Sequence, residues 1–191
     1  MDRRVPNRST IADASDEALV RAASVGDRDA FAVLVGRYGP GMYRYALRLV
    51  GDENDADEIA QEAFVSAWRG LRTFAGRSSL KTWLYRLVHR RAVDTQRHRR
   101  PSPVSDDLLS TLTPAASDDP LQQVLDGELL IALQAVLHEL PWQQRATWLL
   151  REVEDMTYEE IAETVAVSVG SVRGHLYRAR RTVAERMALW R

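Results

Sequence analysis

Residues 156–181 read MTYEEIAETVAVSVGSVRGHLYRARR, and their apolar spacing describes two short helices joined by a tight turn. Thr157 and Glu160 have the capping-box spacing, in which a hydroxyl and a carboxylate satisfy the open amide groups of a helix start. Tyr158, Ile161, Ala162 and Val165 recur at i, i+3, i+4 and i+7 and give the first helix one apolar face. Ser168, between Val167 and Val169, suits the cap of a second helix whose inner face is Val172, Leu176, Ala179 and Val183. Arg173, His175, Arg178, Arg180 and Arg181 point away from that face. A packed helix pair with a cationic second member is the helix-turn-helix arrangement that enters a DNA major groove. The pattern equally describes an ordinary helical hairpin with a solvated basic face, so the rest of the chain has to decide.

With 191 residues the chain has room for one large domain or two small ones. Hydrophobic residues make up 45%, enough for helical cores. There is no cysteine, which excludes disulfides, thiolate metal sites and thiol redox sensing by the chain itself. No apolar run approaches membrane-spanning length, and the polar start MDRRVPNRST lacks the apolar core of a signal peptide. A cytoplasmic protein without membrane insertion is expected.

The net charge of −1 conceals strong local fields. Asp52 to Glu62 contains six acids and no base, whereas Lys81 to Arg100 contains seven bases against the single acid Asp94. Pro101 to Gln144 has seven acids and neither Lys nor Arg, and bases return from Arg173 onward. Charge runs are commonly solvated helix faces, but two separate cationic blocks, one on a helix-turn-helix pattern, favour an anionic partner.

No alternating strand pattern of useful length occurs, so an all-α fold of two small helical domains on a flexible acidic linker is expected. The expected boundaries are a disordered extension over 1–15, a first domain over 16–100, a linker over 101–122 and a second domain over 123–191. In the first domain, helices are expected over Asp16–Val25, from a cap at Asp27, over Met42–Val50, over Asp55–Leu71 and over Ser79–Arg99. Gly39-Pro40-Gly41 marks a break or a kink before Met42. The linker is rich in Pro, Ser, Thr and Asp, although Leu108, Leu109 and Leu112 offer it something to dock. The second domain opens with a helix bearing Leu129, Leu130, Leu133, Val136 and Leu137, turns at Leu140-Pro141 and continues through Trp148, Leu149 and Leu150.

Two further stretches carry chemistry. DADEIAQEAFVSAWRGL, Asp55 to Leu71, sets Asp57, Glu58, Gln61 and Glu62 beside Phe64 and Trp68. It reads as a protein-docking face, a solvated surface or a carboxylate pair for metal or acid–base work. The last reading lacks any histidine in the helix and a second acidic cluster, so no catalytic residue, metal or cofactor is expected. FAGRSSLKTWLYRLVHRRAVDTQRHRR, Phe74 to Arg100, interleaves cations with Trp83 and Tyr85, as a nucleic-acid strand requires for phosphate neutralisation and base stacking. Trp83 also fits the apolar side formed by Leu80, Leu84, Leu87 and Val88, where it would serve the core.

The order acidic helix, basic-aromatic helix, acidic linker, helix-turn-helix resembles the sigma-70 family, specifically its small extracytoplasmic-function (group IV) members. DADEIAQEAFVSAW, SSLKTWLYRLVHRRAVD, LPWQQRATWLLREVEDMTYEEIA and VGSVRGHLYRARR each resemble a family motif, in the family's order, across about Asp16 to Met187. The resemblance implies a bacterial initiation factor that binds core RNA polymerase, reads −35 and −10 promoter elements and melts the latter. It implies contact with the β′ clamp helices through Asp57, Glu58, Gln61, Glu62, Phe64 and Trp68. It further implies −10 binding and capture of a flipped base by Arg77, Ser78, Lys81, Thr82, Trp83, Arg86 and Arg90. The second domain would sit on the β flap and read the −35 element through Ser171, Arg173, Gly174, His175, Tyr177 and Arg178. An anti-sigma factor is an implied partner. The chain departs from the family pattern at Ala166 (commonly glycine), Ser168 (proline), Gly174 (serine), His175 (arginine) and Arg90 (asparagine).

Overall fold

In a computed structural model that describes residues 13–98 and 120–188, with side chains of the second stretch from 127 onward, every regular element is helical. The first domain consists of α1 (Asp16–Ser24), α2 (Arg28–Val50), α3 (Glu53–Gly70), a single 3-10 turn (Leu71–Thr73) and α4 (Leu80–His98). The second consists of α5 (Pro120–Glu139), α6 (Trp142–Glu152), α7 (Tyr158–Val165) and α8 (Val169–Met187). Residues 1–12 and most of the acidic linker, with Leu108, Leu109 and Leu112, lie outside the described residues.

Helix starts follow the short polar residues. Ser15, Asp27, Asp52, Thr157 and Ser168 each accept a backbone N–H of the following turn, closing donors that the helix itself leaves open. Ser15 is thus the cap of α1, and the Ala14 carbonyl accepts from Arg37 at 3.0 Å, so the extension expected over 1–15 is anchored at its end. The Gly39-Pro40-Gly41 stretch does not break its helix: α2 is continuous through Pro40. Proline forfeits one amide donor and crowds the carbonyl four residues earlier, which here belongs to Gly36.

α3 buries Ala56, Ala60, Ala63 and Ala67 in a seam of small side chains, with Ile59 beside it. Small residues let α3 approach α2 and α4 closely and turn its acids outward. Met42, Tyr45, Leu49, Leu84, Tyr85 and Val88 fill the space between α2 and α4, each apolar side chain contributing about 2 kcal/mol by burial. The second domain closes around Leu149, Leu150, Met156, Ile161, Val172 and Leu176. Its core is continuous with that of the first, because α6 packs on α2 and α7 packs on α4.

Candidate nucleic-acid and polymerase interfaces

On α3, Asp57, Glu58, Gln61 and Glu62 are all exposed. The Gln61 side-chain amide donates to Asp57 at 2.6 Å, and Arg91 of α4 meets Glu62 at 3.2 Å. Phe64 and Trp68 do not stand open beside these acids. Both are half-buried against Phe31 of α2, at ring separations of 6.2 Å and 4.9 Å. They share a helical stripe with Asp57 and Gln61 but lie on the turns that α2 covers, so they brace the acidic face from below.

The residues expected at a −10 element divide into three groups. Arg77 and Arg90 are exposed, and Ser78 is half-exposed beside the Gly76 turn. Trp83 is a core residue: it is 9% exposed, stacked on Phe74 at 4.9 Å and pressed to Gly70, where a Cβ would stand 3.0 Å from its ring. Its expected place in a base-binding pocket is therefore corrected, because the helix period that aligns Trp83 with Leu80 and Leu84 turns it inward. Lys81, Thr82 and Arg86 are engaged by the second domain, and Thr82 is fully buried. Behind this face His89 lies 2.9 Å from the Tyr45 hydroxyl and near the Trp142 ring; burial pushes its imidazole down to about 4 and keeps it neutral at pH 7.

The helix-turn-helix forms as its spacing predicts. Thr157 and Glu160 complete the capping box, and Ser168 Oγ accepts the Ser171 amide at 3.1 Å to start α8. The turn passes through Ala166 in the left-handed region, with φ of 55°. Val172, Leu176 and Ala179 are buried, while Ser171, Arg173, Tyr177 (68% exposed) and Arg178 face outward. Gly174 and His175 are half-exposed; a Cβ on Gly174 would stand 3.4 Å from the Arg178 guanidinium. Arg178 donates to His175 Nδ1 at 3.3 Å. Burial, with the Arg178 charge adding to it, lowers the His175 pKa. Arg180 is not on this face: it donates to Glu152 of α6 at 2.9 and 2.6 Å.

Comparison with known proteins bears directly on this geometry. "Sigma-70 region 2" matches residues 34–101, and "Sigma-70, region 4" matches residues 130–183. The ECF RNA polymerase sigma-E factor of Haemophilus influenzae is 33% identical over 183 residues, covering 91% of this chain and 95% of the relative. The chain belongs to the sigma-70 family. It is an extracytoplasmic-function (ECF) sigma factor, a promoter-specific transcription initiation factor. Among solved structures, that of CnrH in complex with the cytosolic domain of CnrY aligns with a TM-score of 0.67 at 25% identity, covering 91% of this chain and 97% of that one. The sigma factor RpoE in complex with the anti-sigma factor NepR, from Bartonella quintana, shares the fold with a TM-score of 0.62 at 20% identity, covering 84% and 98%.

The sigma factor also uses residues for which no role was expected. Arg145, inside the LPWQQRATW motif, donates to the carbonyls of Leu137 (2.8 Å) and His138 (2.7 Å) at the end of α5. It donates as well to Leu49 at the end of α2 (2.8 Å). One guanidinium thus serves two helix C-termini in different domains, where a cation is favoured. Burial lowers its pKa to about 10, still fully charged at neutral pH. His138 packs on Gly51, where a Cβ would stand 2.6 Å from the ring; burial and the Arg145 charge push this imidazole down to about 4. The only advance signals were an arginine beside the Leu140-Pro141 turn and a glycine after α2, and neither names a partner.

Proposed function

We propose that the two domains are sigma region 2, over 16–100, and region 4, over 123–191, and that their functional faces are those of α3, α4 and α8. Asp57, Glu58, Gln61 and Glu62 dock on the β′ clamp helices of core polymerase, with Phe64 and Trp68 fixing the helix that carries them. Arg77, Lys81, Arg86 and Arg90 take the melted −10 strand, with Ser78 and Thr82 beside them. Ser171, Arg173, Gly174, His175, Tyr177 and Arg178 form the −35 face while region 4 sits on the β flap. The observation that carries this reading is the outward row Ser171, Arg173, Tyr177 and Arg178 on a capped helix-turn-helix whose opposite side is fully buried. Arginine in that setting grips guanine edges bidentately or clamps phosphate.

The factor performs no catalysis of its own and needs no cofactor; the polymerase supplies the chemistry. Its place of action is the cytoplasm, in keeping with the observation that no described helix is long and apolar enough to cross a membrane. An anti-sigma factor holds it inactive, a role supported by the complexes in which relatives of this fold occur. In vitro transcription with core polymerase on genomic fragments tests the proposal. Defined start sites that require this chain are expected. Tight sequence-specific duplex binding by the chain alone, with no effect on core polymerase, would overturn it.

A further inference from the structure

The outward face of α3 carries more than acids. Glu58, Gln61, Glu62, Val65 and Arg69 follow one another at i, i+3, i+4, i+7 and i+11, which places them on one stripe about 16 Å long. All five are exposed. Val65 lies two positions from both Ala63 and Ala67 of the buried seam, about 200° around the helix from each. It points as far from the core as α3 allows and is 48% exposed. Valine is a poor choice there on local grounds. Its β-branched side chain disfavours a helix by about 0.5 kcal/mol relative to alanine, and it leaves apolar area in water.

Phe64 and Trp68 are braced by Phe31, whereas Val65 stands clear between them. Around Val65 the charge changes sign along the stripe: Glu58 and Glu62 precede it and Arg69 follows it, with Arg72 exposed three residues further on. An apolar centre inside a polar, charged rim is the arrangement from which protein interfaces draw most of their binding energy. The second domain leaves this stripe open. It packs on α2 and α4, where Glu154 accepts from the Tyr85 hydroxyl and Glu163 pairs with Arg86 at 2.8 Å. Gly41 of α2 makes room there, since a Cβ would stand 2.6 Å from the Tyr85 hydroxyl and 3.8 Å from Glu154. None of these contacts involves α3.

We infer that Val65 is the apolar anchor of the polymerase-docking face, and that Arg69 extends this face with the opposite charge. This rests on the assignment of α3 to core polymerase under Proposed function. The partner surface that fits is a segment laid along α3. It presents basic side chains to Glu58 and Glu62, an apolar side chain to Val65 and an acidic one to Arg69. The order of charge fixes which way that segment runs, because the reversed direction would set like charges together at both ends of the stripe. Covering Val65 removes from water the apolar area that the free chain exposes.

The test titrates core RNA polymerase onto the full chain and its variants, each held by a tag at the N-terminus. Val65→Ser is expected to weaken binding about tenfold, and Val65→Ile to bind within about twofold of the native chain. Arg69→Glu is expected to weaken binding about tenfold, with Arg69→Lys close to native. The unfolding midpoint is expected to stay in place in all four, because both side chains are exposed, so lost affinity reads the interface. Asp57→Lys with Glu62→Lys distinguishes the anchor from the docking role of α3 as a whole. If that variant binds weakly while Val65→Ser binds as the native chain does, the anchor is overturned and α3 keeps its docking role. If neither variant loses affinity, α3 is not the docking helix and both assignments are overturned. Unchanged or tighter binding by Arg69→Glu would overturn the opposite charge at that end of the face.

Discussion

α4 and α8 are both arginine-rich helices assigned to promoter DNA, yet the fold treats them differently. α8 turns its apolar side into its own domain and leaves Arg173, Tyr177 and Arg178 in solvent. α4 is contacted on several sides: Trp83 enters the core, Lys81, Thr82 and Arg86 meet the second domain, and Arg90 remains open. Similar composition therefore gives one helix whose cations stand in solvent and one whose cations are partly engaged by the second domain. Availability, set by packing, separates them more than charge does.

The largest expected effect tests the core role on α4. Trp83→Ala should cost about 3–5 kcal/mol in chemical denaturation, since it empties the space against Phe74 and Gly70. A folded, fully stable variant with only −10 recognition lost would return Trp83 to the DNA face. Next, Asp57→Lys with Glu62→Lys should weaken core polymerase binding a hundredfold or more, about 3 kcal/mol, while the unfolding midpoint moves little. Undiminished pull-down of core polymerase would remove α3 from the docking role.

The interior of α4 also gives a pH signature. His89 takes its proton near pH 4 in the folded chain but near 6.5 when unfolded, so stability present above pH 6.5 is lost as the pH falls toward 4. Between pH 7 and 5 this amounts to about 2 kcal/mol, with His138 acting in the same direction. His89→Gln should flatten the denaturation midpoint across that range, and an unchanged slope would show that His89 is not the group titrating. On α8, Arg173→Ala and Arg178→Ala should each cost about 1–2 kcal/mol of discrimination at the −35 element, read by transcription from altered promoters, with core binding intact. The smallest effect belongs to the turn before α8. Ala166→Gly should raise stability by about 1 kcal/mol, because only glycine enters the left-handed region without a steric penalty. A lower melting temperature would refute that.

Within each domain the helices were legible because the signals are local. Thr157 with Glu160, Ser168 and Asp27 announced their caps, and the spacing of Val172, Leu176 and Ala179 announced a buried face. Pro40 was ambiguous because a break and a continuous helix differ only through tertiary packing. Phe64 and Trp68 were placed on the correct stripe, but nothing local shows that Phe31 covers them. The contacts between domains were illegible for the same reason. Glu154, Glu163 and Arg145 look like ordinary surface charges until two separately folded bundles are set side by side, and their partners lie some 70 to 100 positions away.

Gly41 shows how the needs of an element and of the whole molecule can oppose one another. Inside a helix, alanine in its place would favour α2 by about 1 kcal/mol, so selection on the isolated element would remove the glycine. The added methyl would strike the Tyr85 hydroxyl that Glu154 holds, wedging the domains at the contact that keeps them together. A single carbon atom thus separates a more stable helix from a molecule able to close.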